Sequence, residues 1–142
     1  MTVVIEVLGL PLGKARPRFN RKSGTAYTPA RTRRAEGVVE YAAAQAMNGT
    51  PPITGPVAVT IELAFPIAPS WSKKKRAAAI SGELAHVSNP DCDNCLKLIF
   101  DALNGVAWHD DRQVVNVTVR KFYGDRPRTR VEIVPEENDH DL

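Results

Sequence analysis

A chain of 142 residues with 43% hydrophobic and 25% charged side chains has the composition of one folded domain around one core. Its two cysteines are too few for a disulfide scaffold, and no stretch approaches the ~20 apolar residues that span a bilayer. The net charge of +3 hides a local excess: residues 14–34 carry eight Lys/Arg and no acid, while the final "PEENDHDL" carries four acids, leaving the rest of the chain at +7. Such clustering suggests a polyanionic partner, because cations that neutralise phosphates release condensed counterions. A solvated basic face is the plainer alternative.

The opening "MTVVIEVLGL" has neither a basic leader nor a small-residue cleavage site, so it reads as a strand, and cytoplasmic residence is the expectation. Val3, Ile5 and Val7 alternate as in a half-buried strand. A Gly/Pro turn leads into the basic stretch, where "RFNRKSGTAY" predicts a loop or hairpin with Ser23-Gly24 near its tip. Thr28-Pro29 predicts a helix start with Thr28 as N-cap, running to about Met47 with Val38, Val39, Ala42, Ala43 and Ala46 on its buried stripe. Val57, Val59, Ile61, Leu63 and Phe65 mark a second, stronger strand. The long connection from Pro66 to Pro90 contains "SKKKRAAAIS", a short helix capped by Ser70 or Ser72.

"DNCLKLIFDALNG" is the clearest helix, with Leu96, Ile99, Phe100 and Leu103 on one apolar face and Asn104-Gly105 as its stop. Val115, Val117 and Val119 predict a third strand, and Val131 with Ile133 a fourth after the turn at "GDRPR". The tail from Pro135 reads as disordered.

The chemistry concentrates around the clearest helix. Asp93 stands at its start, where the exposed amides and dipole favour an acid. That placement leaves Asp91 and the pair Asp110-Asp111 unexplained. If the third strand packs on the helix, its leading end can approach the helix N-terminus and bring these carboxylates together. Converging carboxylates repel unless a cation neutralises them, and oxygen-only ligands suit Mg²⁺ or Mn²⁺. Such an ion acidifies bound water and neutralises charge on a scissile phosphate. Lys97 and Asp101 follow Asp93 at one-turn intervals. They form either an exposed charge ladder or, for Lys97, a group beside the phosphate.

These residues carry a resemblance. "NPDCDNCLKLIFDALNGVAWHDDRQV" resembles the central motif of the RusA family of Holliday junction resolvases, approximately Pro-Asp-x-Asp-Asn-x-x-Lys…Asp-Ala-Leu…Asp-Asp-x-Gln-Val, and "GKARPRF" and "YTPARTRRAE" resemble members of the phage type. The resemblance spans residues 1–134 as one nuclease domain and leaves 135–142 as an acidic tail. It implies a small α/β (α+β) fold, here a mixed sheet of about four strands against two main helices. It also implies a homodimer, Mg²⁺ dependence and paired, symmetric nicking of four-way DNA junctions. Asp91, Asp93 and Asp111 take the places of the metal-binding catalytic carboxylates, with Asp110 beside the last, and Lys97 that of the catalytic lysine. Lys14, Arg16, Arg18, Arg21 and Lys22, with Lys73, Lys74, Lys75 and Arg76, are the expected contacts to junction arms, salt-sensitive and sequence-blind. Neither an organic cofactor nor a membrane is expected. A nuclease for other branched DNA and a catalytically silent junction binder are the alternatives.

Cys92 and Cys95 interrupt this motif where apolar residues are usual. As a Cys-x-x-Cys pair they suggest zinc or redox chemistry, but no second cysteine pair completes a zinc site and nearby carboxylates suppress thiol reactivity. They read as small hydrophobes. His109 and Trp108 read as structural. Trp71, beside "KKKR", is the better candidate for DNA contact, and Phe19 and Tyr27 suit either base stacking or a hairpin core.

Overall fold

A computed structural model describes residues 1–137. Its strands are β1 (Val3–Leu8), β2 (Arg18–Asn20), β3 (Thr25–Tyr27), β4 (Val57–Phe65), β5 (Val114–Tyr123) and β6 (Arg128–Pro135). Its helices are α1 (Ala30–Met47), α2 (Lys73–Ser81) and α3 (Cys92–Leu103), with one 3₁₀ turn at Asp111–Gln113. The main sheet has the order β1-β6-β4-β5, and β2 and β3 form a separate hairpin. β4 pairs in parallel with β5 and antiparallel with β6, so the α+β domain with a mixed four-stranded sheet is as the sequence predicts.

β4 organises the core because it is central and apolar on one whole face. Val57, Val59, Ile61, Leu63 and Phe65 are buried there with Ile5, Val131 and Ile133 of the neighbouring strands. α1 and α3 cover that face and pack on each other. On the other face Glu62 meets Arg120 at 3.3 Å and Arg130 at 3.6 Å, cross-strand ion pairs on β4, β5 and β6. Opposite charges placed side by side stabilise register at a surface too polar to bury.

α3 buries Cys95, Leu98, Ile99, Ala102 and Leu103. Leu96 and Phe100, expected on its apolar face, lie at the margin of the core. α1 starts one residue later than predicted. Pro29 is extended, with ψ at 145°, and it rather than Thr28 takes the cap position, without a side-chain cap. Its buried line is Thr32, Val39, Ala43 and Met47, while Val38 and Ala46 are exposed. The line keeps Val39 and Ala43 of the predicted stripe, with Ala42 at its margin, and loses Val38 and Ala46 to solvent. α2 is capped as expected by Ser72, whose hydroxyl accepts from the Lys75 amide at 3.2 Å.

β5 departs further from its pattern. Its valines alternate, but it is an edge strand, and Val115 and Val117 are 60% and 41% exposed. The tail expected from Pro135 begins later: Pro135 belongs to β6 and the Glu136 amide donates to the Pro56 carbonyl. The remainder of that expected tail, 138–142, lies outside the described residues. No helix among the described residues is long and apolar enough to cross a membrane.

Candidate active site

Asp91 is the N-cap of α3. Its Oδ1 accepts from the Asn94 amide at 2.8 Å, and Asp93 follows in the first turn. Lys97 Nζ lies 3.1 Å from Asp93 Oδ2, both side chains exposed. The Asp93–Lys97 step of the predicted ladder is therefore formed. An exposed i,i+4 pair of this kind contributes only about 0.3–0.5 kcal/mol, so it holds Lys97 beside Asp93 without removing it from incoming ligands. Asp101 leaves the ladder. It pairs with Lys14, which also approaches Glu36 at 3.5 Å, so this lysine ties the loop before β2 to α3 and α1. The Asp101 carboxylate, against some desolvation, pushes the Lys14 pKa up. Gly13 beside it is required by close approach: a Cβ there would meet Pro90 Cβ at 3.0 Å and Asn94 Cβ at 3.1 Å. The Lys14 amide then donates to the Asn94 carbonyl at 3.0 Å. "GK" thus seats the basic loop on the α3 entrance.

Asp110 and Asp111 lie elsewhere. Asp111 Oδ2 accepts from Asn104 Nδ2 at 3.2 Å, and Asn104 caps the C-terminal end of α3. Asn104 Oδ1 in turn accepts from the buried Trp108 indole at 2.7 Å. α3 has 12 residues, so ~18 Å of helix axis separates the two acidic pairs. The expectation that β5 leads toward the helix N-terminus is corrected. The connection from Gly105 to Asp110 turns on itself, the Gly105 amide donating to the Trp108 carbonyl at 2.7 Å, so β5 starts at the helix C-terminal end and runs back. Its far end passes the α3 entrance, where Lys121 Nζ donates to the Ser88 and Pro90 carbonyls at 2.7 and 2.8 Å.

Asp110 caps the 3₁₀ turn in a reciprocal box with Gln113. Gln113 Oε1 accepts from the His109 and Asp110 amides, while its Nε2 donates to the Ile53 and Gly55 carbonyls. Sequence reasoning passed over Gln113, Asn104 and Lys121 as positioning residues. Gln113 is the glutamine of the motif "DDRQV", whereas Asn104 and Lys121 had as signals only a polar side chain at a helix stop and at a strand end.

Among the described residues, no three His, Cys, Asp or Glu side chains gather closely enough to form a metal site. The fit to Mg²⁺ is therefore partial within one chain. Asp91 and Asp93 offer hard oxygen donors, and one or two carboxylates completed by substrate phosphates are a usual Mg²⁺ set. Asp111 is out of their reach. The cysteines do not compete for this role. Cys95 is wholly buried in the core, and burial, reinforced by Cys92, pushes its thiol pKa up to about 11. That suppresses the thiolate that redox or metal chemistry requires. Cys92 is exposed.

Lys14, one of the expected DNA contacts, is instead engaged by Asp101 and Glu36, and the other expected contacts form two surfaces. Arg16, Arg18, Arg21 and Lys22 are exposed along the β2–β3 hairpin and its approach, a ribbon with no buried residue, so Phe19 and Tyr27 do not form a core beneath it. Lys73, Lys74, Lys75 and Arg76 are exposed in the first turn of α2, where no acid balances them. Arg31, Arg33 and Arg34, absent from the expected contacts, repeat this at the exposed start of α1. Cations at a helix N-terminus oppose the dipole, a local cost that signals a role outside folding. Trp108 is fully buried, as read, and meets Phe100 edge-on at 5.5 Å. His109 is exposed and makes only a backbone bond to Gln113 among those described.

A relative, the uncharacterized protein YqaN of Bacillus subtilis (strain 168), is 37% identical over 131 residues, spanning 89% of this chain and 92% of its own. The model of the family described as Endodeoxyribonuclease RusA matches residues 9–134, which include both acidic pairs, Lys97 and every basic residue of the two surfaces. The chain belongs to the RusA endodeoxyribonuclease family.

Proposed function

We propose that this protein is a homodimeric, Mg²⁺-dependent endonuclease that resolves four-way DNA junctions by paired symmetric nicks. The observation that carries the reading is the α3 entrance: two carboxylates and a lysine at one helix end, beside a loop that leads to an exposed basic hairpin. Arms of branched DNA lie across the hairpin and the α2 start, through phosphate contacts that set position rather than sequence.

The second copy supplies what one chain lacks. β5 is an edge with exposed valines, its start lies at the Asp111 end of α3, and its finish lies at the Pro90–Asp91 end. Two such edges pairing antiparallel about a two-fold axis set the start of each beside the finish of the other. Asp111 of one copy then approaches Asp91 and Asp93 of its partner, and each dimer has two equivalent sites for two strands.

When bound, Mg²⁺ supplies charge neutralisation at the phosphate and a more acidic water. The chain's own groups do the rest. Asp91 and Asp93 would hold the ion, Asp91 being fixed in place by the Asn94 amide. Lys97, released from Asp93 as the phosphate enters, meets the charge that builds on the phosphoryl oxygens. Asn104 orients the Asp111 carboxylate. Asp110 stands in this arrangement as a cap that holds the turn, placed beside Asp111 to assist it.

The test is a labelled synthetic four-way junction with Mg²⁺ or EDTA. Paired nicks in Mg²⁺ and a bandshift alone in EDTA are expected, and Asp93→Asn should keep the bandshift while abolishing nicks. Cleavage of flaps with the junction intact would identify a nuclease for other branched DNA. Binding without cleavage in either Mg²⁺ or Mn²⁺ would identify a silent binder.

A further inference from the structure

Between the α2 start and the end of β5 lies a pocket of about 360 Å³, lined by Phe65, Trp71, His86, Tyr123, Asn89 and Pro90 among others. We infer that it takes one unstacked nucleobase of the DNA strand lying across Asp91 and Asp93, an inference that rests on the junction-nuclease reading above. Its volume falls within the ~300–1,000 Å³ usual for small-ligand sites.

The walls are aromatic in a continuous series. Phe65 and His86 stack with ring centres 3.8 Å apart and an interplanar angle of 12°. Tyr123 meets His86 edge-on at 5.2 Å, and Trp71 meets Tyr123 edge-on at 5.4 Å. A packing cluster would bury all four rings. Here only Phe65 is buried, and the other three are partly exposed around open space. Burial first, and Lys121 second, lower the His86 pKa below its ordinary 6.5, so at neutral pH the imidazole presents an uncharged face.

The rim supplies the complementary charge. Lys75 Nζ lies 4.0 Å from the Trp71 ring centre and Lys121 Nζ 5.7 Å from that of Phe65. Aromatic surface and ammonium are thus offered together, as a nucleotide with one base and one phosphate requires. Asn89 and Pro90 also wall a second cleft of about 450 Å³ that contains Arg18 and Arg31. The two clefts therefore share the peptide that enters Asp91. A strand with its phosphate at the acidic pair has an arginine-lined cleft on one side of Pro90 and a stacking pocket on the other. At a four-way junction the bases flanking the branch point are the ones that unstack at the smallest cost.

Intrinsic tryptophan emission in EDTA tests this. Trp108 is fully buried and bonded to Asn104, so changes on titration report Trp71. The probes are a short oligothymidylate and an abasic strand of equal length, which match in phosphates and differ only in bases. The oligothymidylate should quench the emission and bind about tenfold more tightly than the abasic strand, since stacking of a base contributes on this order. Trp71→Ala should lower its affinity to that of the abasic strand, and Trp71→Phe should bind while losing the quench. Equal affinity for both probes, or a quench that survives Trp71→Phe, overturns the base pocket. Junction cleavage by the same preparation separates the two readings. Paired nicks with base-independent binding remove the pocket alone, whereas an uncut junction with intact base-dependent quenching removes the resolvase reading and leaves the pocket as a single-strand site.

Discussion

Mixing two inactive variants tests the shared site most directly. Asp91 and Asp93 stand at one end of α3 and Asp111 at the other, ~18 Å apart along a 12-residue helix. Carboxylates that share one Mg²⁺ must each reach it at roughly 2.0–2.1 Å, so no rotamer closes that gap. If the site forms between copies, Asp93→Asn and Asp111→Asn are each inactive alone. A mixed dimer of the two carries both lesions in one site and none in the other. Random exchange of equal amounts yields half mixed dimers, each with one intact site, so about a quarter of the wild-type sites return. The assay is nicking of a labelled junction after subunit exchange, followed on a denaturing gel for each strand. The returning products should be single nicks, because each mixed dimer cuts one strand. With exchange verified by a size-tagged copy, absence of any recovery at every mixing ratio would refute the shared site.

Other consequences follow from individual contacts. Gln113→Ala removes bonds to the Ile53 and Gly55 carbonyls and to two amides, and should cost about 1–3 kcal/mol by chemical denaturation, with junction cleavage falling further as Asp111 loses its support. Because the folded-state pKa of His86 is lowered, the unfolded chain binds the proton more readily. The stabilising difference is present above pH 6.5 and lost as pH falls below it, so thermal melts should show wild type losing stability on acidification more steeply than His86→Phe. Replacing Arg18, Arg21 and Lys22 together by Ala should weaken junction binding similarly for all sequences and reduce the salt slope by up to about 0.9 per phosphate contact removed, read from bandshifts across a salt series. Cys92→Ala should leave cleavage unchanged, whereas Cys95→Ser should lower stability by about 1–3 kcal/mol through a buried hydroxyl.

The parts of the fold legible in the sequence are those where one physical signal dominates. β4 is buried on a full face, so its alternation is strong and unbroken. α3 likewise carries its apolar residues on one side, ending at Asn104-Gly105. Where two signals compete, residues alone mislead. The valines of β5 alternate as if half-buried, yet among the described residues no strand pairs with its outer edge, and Val115 and Val117 stay exposed. Ala-rich α1 has little contrast between its faces, so residues alone locate Val39 and Ala43 on the buried side but misplace Val38 and Ala46. Asp110 bears the chemistry of a ligand and the geometry of a cap, and composition cannot tell these apart until Gln113 is seen completing the box.

The site is a harder case, for a reason that lies in topology. "DCDNCLKLIFDALNGVAWHDD" is continuous in sequence, and its acids invite a single cluster. The intervening residues, however, form a rigid rod whose exit is tied by Asn104 to Asp111. The turn closed between Gly105 and Trp108 sets the start of β5 at the C-terminal end of the helix, so the acids of the motif face opposite ends of one sheet edge. Nothing within a chain can fold that rod in half without breaking the Leu98, Ile99 and Leu103 contacts that anchor it in the core. The proposed dimer rejoins the halves between chains, with a two-fold axis through β5 that would rejoin both at once. On the dimeric reading proposed above, the symmetry needed to cut two strands of a junction and the symmetry needed to complete either site are the same axis, and an isolated subunit is expected to bind DNA without cutting it.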